Sequence, residues 1–279
     1  MERRSQTSGS RPDHIPYPTI QPGTVLRERY QICRQIALTG LNVIYRAIDM
    51  RRRRLVVVKI ARAQPDLYDR YAVPNECLAR EAKMLLRLED AEIRGPHYVE
   101  LIERNGGSFL VMSYIPGYSL ELLCRYGWIS SRRVANALLS ICGLVAQVHR
   151  LGFVHHDIKP ANILVRPDGS PVLIDWGSAC GLTAHRSPGR RTLTPAFASW
   201  EQARGEVWRS NDVYALGRTL ETLIPQPHAL VQALIRRATA AHGQRYTTAS
   251  AFGRTLCWLL ALDRVAQACA SSRIFSELW

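Results

Sequence analysis

The chain has 279 residues, 47% of them hydrophobic, which is enough to bury a core, and a formal net charge of +14. Such a charge favours acidic partners and gives no specific sign of nucleic-acid binding. The seven cysteines include no CxxC pair, which excludes a disulfide framework and a zinc site and indicates a reduced, cytoplasmic protein. The N-terminus lacks the apolar stretch of a signal peptide, and the most apolar segment, residues 134–148, is too short to span a membrane.

Arginine supplies almost all of the positive charge. The chain contains 34 Arg and only three Lys, at Lys59, Lys83 and Lys159. Such a bias indicates that most arginines are solvated surface, with a dedicated surface for acidic partners as the alternative. It also suggests that lysine is kept mainly where arginine would fail.

In chain order, residues 1–28 are rich in Pro, Ser, Arg and Gly and are predicted to form a flexible basic arm. Strands are predicted at residues 30–37, 42–49 and 55–61, which are rich in β-branched and aromatic residues. The Arg run at 51–54 is predicted as a solvated hairpin tip, with a nucleic-acid site as the alternative. A helix at residues 76–88 and strands at 98–103 and 108–112 complete a sheet-rich first part.

The second part of the chain is mostly helical. Helices are predicted at residues 130–151, 211–223 and 248–266, and two short strands at 163–165 and 171–174 flank a turn. A small β-rich lobe is thus followed by a larger α-helical lobe. Ligands commonly bind in the cleft between two such lobes.

The densest chemical signal is the segment VHHDIKPANILVRPDGSPVLI at residues 154–174, followed at once by Asp-Trp-Gly. Phosphoryl transfer needs a carboxylate to orient the attacking hydroxyl, a cation on the phosphate and oxygen ligands for a metal. Asp157 supplies the carboxylate and Lys159 the cation. Asn162 and Asp175 offer the oxygen ligands that Mg²⁺ prefers.

Residues 155–162 (HHDIKPAN) resemble the H-R-D-x-K-P-x-N catalytic loop of the eukaryotic-type protein kinases, especially their bacterial Ser/Thr branch, and residues 175–177 (DWG) resemble D-F-G. The resemblance covers roughly residues 24–262. It implies an α+β, two-lobed protein kinase fold, with the N-lobe at 29–112, the C-lobe at 113–266 and a tail at 267–279. It also implies ATP and Mg²⁺ as cofactors, Ser/Thr hydroxyls of proteins as substrates, and autophosphorylation as one outcome.

The same resemblance predicts a lysine on the third strand that pairs with a glutamate on the following helix. Lys59 lies within VVVKI, and Glu81 lies in the predicted helix; Glu76 is a weaker competitor because it lies more than one turn earlier. The pair would hold the α- and β-phosphates of ATP. An exposed lysine at the edge of a sheet is the alternative interpretation of Lys59.

Residues 109–117 (FLVMSYIPG) resemble the hinge between kinase lobes, with Met112 as gatekeeper. The resemblance implies that backbone groups of Ser113 and Ile115 bind adenine. Ordinary core packing is the alternative for the four residues that would form the apolar walls, which are Ile36, Ile44, Val57 and Leu164.

Residues 194–202 (TPAFASWEQ) resemble the segment of Ser/Thr kinases that docks the substrate. In that family Thr194 would bridge Asp157 and Lys159, and Glu201 would pair with Arg245. Asp212, in DVYALG, would hold the catalytic loop from a neighbouring helix.

The chain departs from the family pattern in three places. The signature glycines of the phosphate-covering loop are replaced by Ala37, Thr39 and Asn42, which predicts weaker ATP binding or slower turnover, with a plain hairpin turn as the alternative. His156 replaces the arginine that reads a phosphate on the activation loop, so we hypothesise that order in this loop does not require phosphorylation. The chain after residue 223 is short, which predicts a missing or shortened helix.

The shortened region implies that substrates dock elsewhere. One candidate is the Arg-rich activation loop, with Arg186, Arg190 and Arg191, which would suit an acidic substrate; a solvated loop is the alternative.

Two further functions compete with an active Ser/Thr kinase. The lost glycines favour a pseudokinase that acts as a binding or scaffold module. The catalytic Asp, the Asn and the metal-binding Asp are also shared with small-molecule kinases of the aminoglycoside phosphotransferase type. Those enzymes lack a docking segment such as residues 194–202, which favours a protein kinase.

Overall fold

The computed structural model describes residues 20–62, 74–104, 107–184 and 193–276. The predictions for residues 1–19 of the arm and for Arg186, Arg190 and Arg191 lie outside these residues. The architecture is α+β with two lobes, as predicted.

The N-lobe is built on a six-stranded antiparallel sheet with the order β1-β2-β3-β4-β6-β5. Every strand predicted for this lobe is present, and inward-facing residues such as Tyr30, Tyr45 and Val58 are buried in the core of the lobe. Residues 20–28, predicted as part of the arm, are described and contain the additional strand β1. The strands are β1 (Val25–Leu26), β2 (Tyr30–Leu38), β3 (Asn42–Asp49), β4 (Arg54–Ala61), β5 (Tyr98–Arg104) and β6 (Gly107–Ser113).

Helix α1 (Pro74–Asp90) is the single long helix of the N-lobe within the described residues. Its face with Leu78, Ala82 and Leu85 is buried against the sheet and the start of the C-lobe. This face repeats at helical spacing, which is why the sequence predicted the helix. The same packing turns Glu81 toward the cleft, whereas Glu76 is exposed.

The C-lobe is built around α3, α5 and α7, which share one apolar core with α1. Ser130 caps α3, because its hydroxyl accepts a hydrogen bond from the backbone N–H of Arg133. The short helix α2 was not predicted, and α7 continues ten residues beyond the predicted end at 266. The helices are α2 (Leu120–Arg125), α3 (Ser131–Arg150), α4 (Trp200–Ala203), α5 (Arg209–Leu223), α6 (Ala229–Ala238) and α7 (Ala249–Ser276).

Two small antiparallel sheets hold the loops that face the cleft. One contains β7 (Tyr118–Ser119), β9 (Ile163–Val165) and β10 (Pro171–Leu173), and the other pairs β8 (Phe153–Val154) with β11 (Cys180–Gly181). The catalytic loop runs from β8 to β9, and the Asp-Trp-Gly turn runs from β10 to β11. Both loops are therefore fixed at each end by strands.

The region after residue 223 is as short as the sequence predicts. Five residues connect α5 to α6, and α6 is the only α-helix between α5 and α7 in the described part of the chain, where a one-turn 3-10 helix (His242–Gln244) follows it. Among the described helices, none is both apolar enough and long enough to cross a bilayer.

Candidate active site

A buried aspartate, Asp212, holds the catalytic loop from below. It lies on α5 and is fully buried. Its carboxylate accepts hydrogen bonds from the backbone N–H groups of His155 and His156, both at 2.9 Å, and from Nε2 of His149 at 2.8 Å. The contact with the loop was predicted, whereas the partner His149 on α3 was not. The bonds let His156 keep a left-handed backbone with φ of 67°, which is unusual for a residue other than glycine.

The electrostatics of Asp212 follow from these partners. Burial alone would raise the pKa of its carboxyl, but the hydrogen bond and charge of His149 outweigh burial and lower the pKa to about 2. The carboxylate is therefore ionised at neutral pH, where it can accept all three hydrogen bonds.

Asp157 lies at the centre of a hydrogen-bonded cluster that faces the cleft. Thr194 Oγ1 donates to Asp157 Oδ1 at 2.8 Å, and Lys159 Nζ donates both to Asp157 Oδ2 and to Thr194 Oγ1 at 2.8 Å. The bridge by Thr194 matches the sequence prediction. Asn162 Nδ2 donates to the backbone carbonyl and to Oδ2 of Asp157, at 2.8 and 2.9 Å. One carboxylate is thus oriented by three side chains.

A second charged cluster joins the two lobes. Lys59 Nζ, on β4, donates to Glu81 Oε1 and Oε2 at 2.7 and 2.9 Å and to Asp175 Oδ1 at 2.8 Å. Lys59 and Glu81 are almost wholly buried, whereas the side chain of Asp175 is 30% exposed. Glu81, and not Glu76, is therefore the partner of Lys59, and Lys59 does not lie at an open sheet edge.

The charged groups in this cluster shift the pKa values of one another. Burial alone would lower the pKa of Lys59, but Asp175 and Glu81 outweigh burial and raise it. Burial raises the pKa of Glu81, whereas for Asp175 the nearby Lys59 outweighs burial and lowers the pKa. Lys59 and Asp175 therefore stay ionised at neutral pH. Asp175 keeps one charged edge toward the cleft.

The donor atoms of this cleft fit a magnesium ion. The described hydrogen bonds of Asn162 use its amide nitrogen, and those of Asp175 use Oδ1. The carbonyl oxygen of Asn162 and the second carboxylate oxygen of Asp175 are the atoms that could bind a cation. The described residues contain no cluster of three or more His, Cys, Asp or Glu side chains able to hold a metal. Phosphate and water oxygens would complete the coordination, as Mg²⁺ usually requires.

The apolar residues predicted for adenine binding lie on five strands of the two lobes, namely β2, β3, β4, β6 and β9. On adjacent strands, Val57 lies opposite Met112, and Ile44 lies opposite Lys59. Leu164 lies on β9 below them, and Ile36 on β2 is 39% exposed. The N–H of Ser113 donates to the carbonyl of His97 at 2.9 Å. Within the described residues, the N–H of Ile115 makes no backbone hydrogen bond, so it is available to a ligand.

The loop that lacks the signature glycines is a tight hairpin between β2 and β3. The N–H of Thr39 donates to the carbonyl of Asn42 at 2.8 Å, and Thr39 Oγ1 accepts from the N–H of Asn42 at 2.9 Å. Arg62 also donates to the carbonyl of Thr39 at 2.8 Å. Two of the residues that replace glycines therefore close the turn on itself.

The docking segment is anchored by the predicted ion pair. Arg245 NH2 donates to both carboxylate oxygens of Glu201, at 3.0 and 2.8 Å, and the guanidinium of Arg245 is 98% buried. Arg245 also lies over the ring of Tyr214 on α5. The segment that follows Thr194 is thus fixed to the helical core.

Trp176 replaces the phenylalanine expected after Asp175. It is fully buried, its indole N–H donates to the carbonyl of Leu173 at 3.3 Å, and its ring lies 4.4 Å from that of His155. The larger ring is accommodated because it also finds a hydrogen-bond acceptor. Asp175 itself has a left-handed backbone with φ of 67°.

Comparison with known proteins agrees with this geometry. The family model described as the protein kinase domain matches residues 30–245. The chain therefore belongs to the protein kinase family.

Within this family, the chain is similar to serine/threonine kinases of bacteria. Serine/threonine-protein kinase PknL of Mycobacterium bovis is 34% identical over 200 residues, which cover 69% of this chain and 48% of PknL. Probable serine/threonine-protein kinase pknA2 of Bifidobacterium longum is 31% identical over 71% of this chain and 26% of pknA2. Serine/threonine-protein kinase PknB of Mycolicibacterium smegmatis is 30% identical over 72% of this chain and 33% of PknB. The chain spans less than half the length of each of these relatives.

Replacing Asp212 by Asn should destabilise the fold by about 2 kcal/mol at pH 7, because charged hydrogen bonds to the catalytic loop are lost. The carboxyl pKa is about 2 in the folded protein, against the ordinary aspartate value of 3.8 that applies when the chain is unfolded. Its stabilisation is therefore complete above about pH 4 and is lost as the pH falls toward 2. Urea unfolding between pH 7 and pH 2.5 should show a weaker acid dependence in Asp212→Asn than in wild type. The exposed control Asp90→Asn should show the same pH dependence as wild type. If the free energy of unfolding falls equally at low pH in all three proteins, the stabilising role of Asp212 is contradicted.

Proposed function

We propose that this protein transfers the γ-phosphate of ATP, in the presence of Mg²⁺, to Ser or Thr hydroxyls of a protein substrate. The observation that carries the proposal is the hydrogen-bonded cluster of Asp157, Lys159, Asn162 and Thr194. It orients one carboxylate beside a cation at the mouth of a cleft. The membership of the chain in the protein kinase family supports the same reaction.

The side chains divide the work between binding and proton handling. Asp157 accepts a hydrogen bond from the substrate hydroxyl and orients its oxygen for attack, and Lys159 stabilises charge on the transferred group. Lys59, held by Glu81, binds phosphate oxygens of the nucleotide. Bound ATP supplies the phosphoryl group, and bound Mg²⁺ neutralises its charge. Asn162 and Asp175 would hold the metal.

Adenine binding is assigned to the hinge and to the apolar residues around it. The carbonyl of Ser113 and the N–H of Ile115 would form the hydrogen bonds to the base. Met112 bounds the back of this pocket. The apolar contacts would come from Ile36, Ile44, Val57 and Leu164.

A scaffold role without catalysis is favoured by one observation. The hairpin closed by Thr39 and Asn42 lacks the glycines that let a backbone approach phosphate. Against it, the side chains of Lys59, Glu81, Asp157, Asn162 and Asp175 all keep the contacts that catalysis needs. We therefore expect slower turnover or weaker ATP binding rather than loss of the reaction.

Order in the activation segment is proposed to need no phosphate, because His156 connects the parts that a phosphate would otherwise organise. Asn211 Nδ2 lies 3.2 Å from His156 Nε2, and Cys180 Sγ lies 3.7 Å from His156 Nδ1. Gln202 Nε2 donates to the backbone carbonyl of His156 at 2.6 Å. The start of the activation segment and α5 thus contact the buried imidazole of His156, and the docking segment contacts its backbone carbonyl.

Several properties of the protein stay predictions. Autophosphorylation, an acidic substrate and a cytoplasmic location belong to this group. The domain bounds proposed from the sequence do as well.

Asp157→Asn should lower kcat for γ-phosphate transfer about 10²- to 10⁴-fold, because the group that orients the hydroxyl is removed. Binding of Mg²⁺ and ATP should persist, since the nucleotide contacts lie elsewhere. Transfer of radiolabelled phosphate to protein measures the rate, with Asp90→Asn as a matched exposed control. A wild-type protein that binds nucleotide without transferring phosphate would be a pseudokinase. Phosphate on an aminoglycoside and never on protein would indicate the small-molecule kinase.

Thr183, Ser187 and Thr192 lie in the activation loop and carry the hydroxyls that could be phosphorylated there. Replacing all three by Ala should change kcat by no more than about twofold, because order in the loop is proposed to need no phosphate and a change of about 0.5 kcal/mol or less is typical of substitutions without a special role. The rate of peptide phosphorylation is the measurement. His156→Ala is the contrasting variant and should lower the rate, because it removes the connection to Asn211 and Cys180. Abolished activity in the triple variant, with mass spectrometry showing phosphate on these residues in wild type, would overturn the proposal.

A further inference from the structure

A large groove lies outside the proposed nucleotide site, next to β2 and β3 and beside the residues that resemble the hinge. Its volume is about 960 Å³. It extends from β2 and β3 past Tyr114 and Gly117 to α3 and to the turn between β9 and β10. Arg46 on its rim lies opposite Val57, a proposed wall of the adenine pocket, so the groove begins where the cleft opens.

Four arginines line this groove from both lobes, namely Arg34, Arg46, Arg133 and Arg166. Arg34 and Arg46 lie directly opposite each other on β2 and β3. Like charges in this position destabilise a sheet. Such a pair becomes favourable when an anion binds between the two guanidinium groups.

None of these arginines forms an ion pair with a carboxylate of the described residues. The Nε atoms of Arg46 and Arg166 are buried and make no hydrogen bond within the described structure. The lining contains one acidic residue, Asp168, and its carboxylate accepts hydrogen bonds from the N–H and hydroxyl of Ser170. The lining therefore holds four guanidinium groups against one carboxylate, and the Nε donors of Arg46 and Arg166 have no hydrogen-bond acceptor within the described structure.

Aromatic side chains form the other wall. Trp128 stacks on Tyr126 at 5.0 Å and meets the edge of Tyr118 at 5.7 Å. All three are between 56% and 59% exposed, which is unusual for a contiguous group of large apolar side chains. Trp128 and Tyr118 face the groove together with the apolar Leu123, Ile129 and Val165.

We propose that this groove binds an acidic peptide segment, with a bulky apolar side chain next to its carboxylates, from the protein substrate. Carboxylates match the planar guanidinium groups of arginine, and the apolar side chain would pack on Trp128. The apolar wall favours a peptide over a nucleic-acid backbone, whose phosphates would need cations along the whole groove. The identity of the occupant as the substrate rests on the proposed kinase function. The peptide-binding property itself does not.

The test uses fluorescence anisotropy of a labelled short peptide of Glu and Asp with one central Trp. Arg133→Glu combined with Arg166→Glu should weaken its binding about tenfold or more, because charge-assisted hydrogen bonds are lost and like charges face the peptide. Arg52→Glu combined with Arg254→Glu is the matched control. It makes the same change in net charge at exposed arginines outside the groove and should bind as wild type.

The apolar contact has its own test. Trp128→Ala should weaken binding of the Trp peptide but not of the same peptide with Ala in place of Trp, because each change removes the same contact. Phosphorylation of a short Ser peptide without acidic residues should be unchanged in all groove variants. A failure of catalysis in wild type would thus be seen separately from a failure of docking.

Three results would overturn the proposal. One is equal peptide affinity in the groove double variant and its control. Another is a single-stranded oligonucleotide that binds more tightly than the peptide and displaces it, which would assign the groove to phosphates. The third is an effect of Trp128→Ala that is the same for both peptides.

Discussion

The buried ion cluster of Lys59, Glu81 and Asp175 is the interaction on which the rest of the site depends. It joins β4 and α1 of the N-lobe to the turn after β10 in the C-lobe. One cation faces two carboxylates in a largely dry environment, so each group would be costly to bury alone. Their mutual contacts fix the relative position of the lobes, and they leave one carboxylate edge of Asp175 toward the cleft. A site with one ammonium group and a partly exposed carboxylate suits a polyphosphate that is bound together with a metal ion.

A second constraint fixes the catalytic loop. His156 and Asp175 both adopt left-handed backbones, which typically cost about 1–3 kcal/mol each in residues other than glycine. Asp212 offsets the cost at His156 through backbone hydrogen bonds, and Lys59 holds Asp175 in place. Strain of this kind places Asp157 and Asp175 at the mouth of the cleft from two different loops.

Much of this arrangement was predictable because it follows local patterns. The strands are rich in β-branched and aromatic residues, α1 repeats at helical spacing, and Lys59 stands out in a chain that almost always uses arginine. The contacts around His156 were not predictable, because Gln202 and Asn211 lie 46 and 55 residues away and no periodicity connects them. Helix α2 has six residues, too few for a periodic signal. Arg34 pairs with Arg46 only because the register between β2 and β3 shifts on either side of this pair, and such shifts cannot be predicted from the sequence.

The most direct test of the central claim is the affinity for Mg²⁺ and ATP, measured by titration calorimetry. Lys83 is a matched control, because it is exposed on the same helix as Glu81. Lys59→Met should lower the affinity about tenfold or more, since a charged hydrogen bond is worth about 1.5–3 kcal/mol and 1.4 kcal/mol is tenfold. Lys83→Met should bind as wild type. Lys59→Met combined with Glu81→Gln, which removes the unpaired buried charge, should fold and still bind weakly. Equal affinity in wild type, Lys59→Met and Lys83→Met would contradict the account.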